Sequence, residues 1–456
     1  MRWQALGNRM VFLLVALAVA LGGWTTASAQ FGSTAAGVVV DAQGVLQKRV
    51  FTDPGGRLMQ ERIAAAKASL KPQLAKFSQL RKISLNRLEE AISGRQNVPT
   101  DEMRCLAGLL RVQYVFYYPD SDDIVIAGPA EGWATNAAGR MVGMTSGRPV
   151  IQLQDLAVAL RAFPPGKRGT QIIGCSIDPT QEGLAAMQQF LRSMGSRAVP
   201  GQTQYIVDGL LTSLGLQKVS INGISPNTHF AQVLVEADYR MKLIGIGLEK
   251  PPVKLVSYVD RANPAQVSRN AMQRWFFTPD YNCVRVSEDG LAMELVGDGV
   301  KLIGENELVT ATGQRKAAAR GSRASQAFVA SFTKKYSELA ERSPVYAELR
   351  NLIDLAVAAA FIQQEDYYGQ SGWKMELLGD EQTFSVETYN APTQVASAAT
   401  ARWKGNRLMT PIGGGVEIRA AKALDDSNQL ADEKGKVAEL HKQTTPKLAK
   451  GQWWWD

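Results

Sequence analysis

Residues 227–308 constrain the fold most, because they hold the densest run of structure signals around a joint that a helix cannot cross. That joint is Pro251-Pro252, where two backbone donors are missing and two φ angles are fixed. Ahead of it, residues 228–235 are apolar and β-rich enough for a buried strand. Asp238 then stands where a helix N-cap would, before Tyr239, Leu243 and Ile246 at helical spacing. The reading is a strand running into a short helix that stops at Gly245 and Gly247. A continuous strand is the rival, with Gln232, Leu234, Glu236, Asp238, Arg240 and Lys242 on one face. Beyond the joint the pattern turns to antiparallel strands at 275–277, 283–287, 291–296 and 300–303, the last three separated by Gly-ended turns.

At 456 residues and 45% hydrophobic, the chain is long enough to bury at least two cores, and two or three domains are expected. The fold class read from the pattern is α+β, with mixed helices and mostly antiparallel sheets. An N-terminal domain is placed at 37–165: a hairpin at 37–46, then helices that Ser84 and Thr100 can cap, then strands at 112–118 and 124–127. A central domain follows at 166–310, opening with a strand at 171–177 and a helix that runs to Met194. A third unit at 324–424 combines a helical hairpin, with Pro344 at the first position of its second helix, and strands at 373–378, 384–389 and 415–419. After Leu424 apolar periodicity fails. Residues 425–456 are read as a disordered tail, with Trp453, Trp454 and Trp455 as a docking anchor on a flexible leash.

The first residues read as an export leader. Arg2 and Arg9 precede an apolar run over 10–21, and Ala27-Ser28-Ala29 is a small-residue cleavage pattern, so residues 1–29 are expected to be removed. No later segment is apolar and long enough to span a bilayer, since the best, 352–362, is short and carries Asp354. Loss of the leader's two arginines takes the formal charge from +8 to +6. That excess is spread along the chain and lacks interleaved aromatics, which argues against nucleic acid. The localisation expected is periplasmic or secreted.

The segments VEADYRMKLIGIGLE, RWFFTPDYNCVRVSEDGLAMELVGDGVKL, FTKKYSELAERSPVYAELRNLIDLA and PIGGGVEI carry a resemblance to a planctomycete family of exported proteins built on a domain of unknown function. It covers residues 37–424. The resemblance implies relatives with the same export signal and brings no assigned activity, so it assigns no functional residue.

Chemistry-bearing patterns are sparse. With only His229 and His441 and no paired cysteines at ligand spacing, no zinc site can be built, and no cofactor is expected. Cys105, Cys175 and Cys283 each sit in an apolar run and read as buried thiols, with one disulfide as the alternative. Ser331 and Lys334 match S-x-x-K, but no K-T-G strand accompanies them, and a solvated helix face explains them better. Asp120, Asp122 and Asp123 read as a solvated turn rather than a calcium loop, and Gly413-Gly414-Gly415 as a tight turn or bulge. Glu236 and Asp238, with Arg240 beside them, are the candidate acidic pair, set against a cap with salt bridges. Trp275 and Tyr281 could add a stacking surface, set against a place in the core. The functional expectation is a non-catalytic binding or envelope-associated module whose partner is a protein or an envelope polymer. The alternative is a hydrolase of such a polymer acting through Glu236 and Asp238.

Overall fold

The computed structural model describes residues 37–195, 199–263, 271–317, 322–400, 402–404, 407–409 and 414–456. All of these lie in one compact unit, Ser33–Asp456. The expected leader lies outside the described residues.

One buried helix, Pro344–Gln364, stands at the centre. Pro344 occupies its first turn, where a missing N–H costs nothing, and every residue from 345 to 362 is buried. Its charges are therefore paired: Arg111 Nε donates to Asp354 Oδ2 at 2.7 Å, and Arg140 donates to Glu348. The helices Leu153–Ala162 and His229–Gly245 pack against it.

Two sheets flank these helices. The nine-stranded sheet runs Val38–Val40, Val45–Lys48, Gln394–Ala396, Leu216–Asn222, Ile173–Asp178, Gly414–Ile418, Ala271–Pro279, Val300–Val309 and Arg315–Ala317. Its neighbours are antiparallel except at two places, where Gln394–Ala396 meets Val45–Lys48 and Ala271–Pro279 meets Gly414–Ile418. The seven-stranded sheet runs Leu430–Ala431, Val284–Val286, Ala292–Leu295, Tyr114–Tyr118, Asp123–Ala130, Ser78–Ser84 and Trp454–Trp455. The fold is α+β, as the pattern implies. The three segments set apart in the sequence do not hold separate sheets, however. Strands from all three interleave in the larger sheet, and long-range pairing of this kind leaves no local signal in a sequence.

Several local signals hold. Ser84 and Thr100 cap their helices, with Ser84 Oγ and Thr100 Oγ1 accepting from the backbone of Arg87 and Met103. Others do not. Residues 228–235 are not a strand and Asp238 is not an N-cap: a single helix spans His229–Gly245, capped by Thr228, whose hydroxyl accepts from Ala231 N–H. It is buried on nearly every side, so it lacks the polar face that marks a helix in sequence. The strand Leu216–Asn222 pairs with Ile173–Asp178 and Gln394–Ala396.

The tail is also ordered. Lys436–Gln443 is a helix, and residues 454–455 add a strand to the Ser78–Ser84 edge. His441 stacks on Tyr118 with ring centroids 4.4 Å apart, and its Nε2 donates to the Tyr117 carbonyl at 2.8 Å. Val437 and Trp453 are buried. Apolar content too thin for a core of its own is enough to cover one face of an existing sheet.

Candidate functional site

The candidate acids lie on the His229–Gly245 helix, two residues apart. At about 100° per residue they point to opposite sides of it. Glu236 is fully buried. Its Oε2 accepts from Arg140 Nη2 at 2.6 Å and its Oε1 from Arg240 Nη1 at 3.3 Å. Arg240 also donates through Nε to Glu249 Oε1 at 2.9 Å, and Glu249 receives Lys48. The result is an alternating row, Glu348, Arg140, Glu236, Arg240, Glu249 and Lys48, with three charges of each sign. Gly37 closes over it: at φ 101° its place suits glycine, and a Cβ there would stand 2.3 Å from Glu236 Oε1. No room is left at Glu236 for a substrate.

Asp238 is equally buried and faces the larger sheet. Lys242 Nζ bridges it to that sheet, donating to Asp238 Oδ2 at 3.0 Å, Ile177 O at 2.9 Å and Gly414 O at 3.1 Å. Burial pushes the Asp238 carboxyl up to about 6 in spite of the lysine. The pair acts as a cross-link between helix and sheet.

Trp275 is a core residue, 1% exposed, with Nε1 donating to Ser325 Oγ at 2.9 Å and its ring packed between Tyr258 and Phe328. It seats on the end of the same helix at Gly245, where a Cβ would come within 2.3 Å of the indole. Tyr281 is half-buried under Lys422, whose Nζ sits 4.5 Å from the ring centroid. The structure thus brings Glu236 and Arg240 together and leaves Asp238, Trp275 and Tyr281 in separate surroundings.

The other motifs resolve similarly. Asp123 is fully buried and held by Arg87 and Ser84, so the 120–123 turn is not a carboxylate cage. His229 is the first residue of its helix, and its Nδ1 faces both Asp155 oxygens at 2.9 and 3.0 Å. The hollow beside this pair, bounded by Gln152, Glu348 and Asn351, measures about 10 Å³, room for no more than one water. The three cysteines are free and buried. No group of three or more His, Cys, Asp or Glu among the described residues is placed to hold a metal.

A cleft of about 480 Å³ lies elsewhere, and sequence reasoning missed it. Its walls are residues 97–99 with Asp101, Arg104 and Cys105, the start of the Leu153–Ala162 helix at 152–154, Trp133 and Met141, and residues 383–387. Along this last wall Phe384 and Val386 are buried while Ser385 and Glu387 are exposed. That is the alternation of a strand, and it is why the sequence reads 384–389 as one. The structure gives the segment no ladder. Among the described residues, the backbones of 385–387 make no hydrogen bond to other backbone. Gln154 sits at the cleft and ties to Tyr389, its Nε2 donating to the phenol oxygen at 3.2 Å.

A family model described as "Protein of unknown function (DUF1598)" matches residues 175–258, from the Ile173–Asp178 strand through the His229–Gly245 helix to Tyr258. No curated protein and no solved structure matches the chain. No helix among the described residues is long and apolar enough to cross a membrane.

Proposed function

We propose that this chain is an exported, non-catalytic binding module that takes an extended peptide, from a protein or from the peptide part of an envelope polymer, as an added strand along residues 385–387. The observation that carries the reading is that residues 385–387 lie in a segment with the side-chain alternation of a strand yet have no backbone partner among the described residues. Unpaired backbone of this kind is a template for a further strand, with pockets for alternate side chains giving specificity. The adjoining cleft supplies such pockets: Trp133, Met141 and Leu153 offer apolar surface, and Asn97, Arg104, Gln152 and Gln154 offer polar groups at a volume ordinary for ligand sites.

Export rests on the leader pattern and on the likeness to exported planctomycete proteins. The hydrolase reading loses its motive, because Glu236 and Asp238 are consumed by ion pairs on opposite sides of a buried helix.

Selection of random decapeptides on the intact chain, followed by calorimetry of the selected sequences, tests the proposal. Ser385→Pro and Glu387→Pro each delete a free N–H and break no backbone bond. Selected peptides are expected to bind each variant at least about tenfold more weakly than the unaltered chain. Failure to select any peptide, or undiminished affinity in both variants, overturns the reading.

A further inference from the structure

The edge of the seven-stranded sheet at Ser78–Ser84 is closed by a contact of unusual composition. Two residues complete the ladder, Trp454 opposite Ile83 and Trp455 opposite Lys82, and Ser84 N–H donates to the Trp453 carbonyl at 2.9 Å. Everything else is side-chain recognition. Arg81, 0% exposed, donates through Nε and Nη2 to the two carboxylate oxygens of Asp456 at 2.8 and 3.0 Å. Its guanidinium also covers the Trp454 ring at 4.8 Å, while Lys82 Nζ lies 5.9 Å from the Trp455 ring. Trp454 Nε1 donates to Glu102 Oε1 at 2.5 Å.

The receiving side is preformed. Arg81 is held independently by the carbonyls of Ala107 and Gln73, at 2.6 and 3.1 Å, so its fork stays aimed outward without the carboxylate. The arriving side is loosely tethered. Among the described residues, the hydrogen bonds of residues 445–452 run no farther than three positions along the chain. Beside the segment lies a groove of about 1500 Å³, walled by Lys71, Leu74, Ala91, Arg95 and Glu102. A preformed cationic socket, a sheet edge and a strand that reaches them through a segment bonded only locally are the parts of a recognition site with its own occupant in place.

We propose that the Ser78–Ser84 edge and Arg81 form a peptide-recognition site for strands carrying consecutive aromatic residues followed by a carboxylate, and that residues 453–456 fill it in cis. The site is distinct from the 385–387 wall and does not depend on that reading. A tethered occupant competes at an effective concentration of millimolar order, so a free peptide gains entry only when the occupant is weakened.

The test uses the whole chain and a fluorescein-labelled, amide-capped peptide of residues 450–456, KGQWWWD, followed by anisotropy. A Trp454→Ser, Trp455→Ser double variant is expected to bind the peptide at least about tenfold more tightly than the unaltered chain, and an Asp-to-Asn peptide is expected to lose at least about tenfold in affinity. A double variant that keeps its circular dichroism yet does not bind overturns the proposal. So does indifference to the Asn peptide. Should the double variant fail to fold, hydrogen exchange on the unaltered chain decides. Ser84 N–H is expected to exchange at least about tenfold faster than the amides pairing Ser78–Ser84 with Asp123–Ala130, because the occupant opens alone. Equal rates would show that it leaves only on global unfolding, and would contradict the proposal.

Discussion

Arg140 Nη2 and Glu236 Oε2 meet at 2.6 Å with both side chains shut away from water, although 96 positions separate them in the chain. Glu236 is shared with Arg240, and Arg140 with Glu348, so the two sit in the middle of a neutral row of charges. Removing one member strands the others in a medium that solvates them poorly. Glu236→Ala is expected to cost about 3–5 kcal/mol, the range for breaking a buried ion pair. Urea unfolding checks it: the midpoint should fall with an unchanged slope, and a shift under about 1 kcal/mol would mean that the row contributes little.

The Asp238 carboxyl gives a pH signature. Burial raises it from 3.8 to about 6, against the pull of Lys242. As pH rises from about 4 to 6 the unfolded chain releases this proton first, so the contribution of Asp238 to stability falls through that window and is constant above it. Asp238→Asn removes the titration. The stability difference between variant and unaltered chain should therefore move in the variant's favour between pH 4 and 6 and level off beyond. Parallel profiles in urea midpoints would contradict this.

Residues 425–456 belong to the fold, and deleting them should show it. Val437 and Trp453 each contribute about 2–3 kcal/mol by burial, so truncation after Leu424 is expected to cost on the order of 5 kcal/mol and lower the thermal midpoint accordingly. His441 adds an acid dependence. Burial depresses its pKa in spite of the Tyr117 carbonyl, so the unfolded chain takes the proton first as pH falls below 6.5, and stability is lost in that direction. His441→Gln should flatten the decline of the thermal midpoint as pH falls below 6.5. An unchanged midpoint after truncation would put the segment outside the fold.

The three thiols should be inert. Burial pushes Cys105 and Cys283 up to about 12 and Cys175 well above its ordinary value, so little thiolate exists at neutral pH. Thiol titration of the native chain is expected to be slow at all three and fast in denaturant. Rapid native labelling of any one would contradict that placement.

What the sequence discloses and what it hides follow from the range of the interactions. Caps at Ser84 and Thr100 and the Pro344 start are local, and they are legible. The His229–Gly245 helix is hidden because enclosure on all sides erases its periodicity, so an apolar run reads as a strand. The alternation from 384 to 387 is real, but among the described residues the backbones of 385–387 have no ladder, so the pattern alone does not make a strand. At the candidate acids, Glu236 and Arg240 are visible as an i,i+4 pair. Their partners Arg140 and Glu348 arrive from distant segments. The order of the tail depends on pairs such as Arg81 with Asp456, 375 positions apart, which no local pattern announces.

On the proposed reading, residues 385–387 offer their backbone to an incoming strand. Hydrogen exchange at the Ser385, Val386 and Glu387 amides tests it most directly, measured on the chain alone and then saturated with a peptide selected for binding. Rapid exchange is expected in the free chain, and at least about tenfold slowing in the complex. Amides already protected in the free chain, or rates unmoved by a saturating peptide, would contradict it.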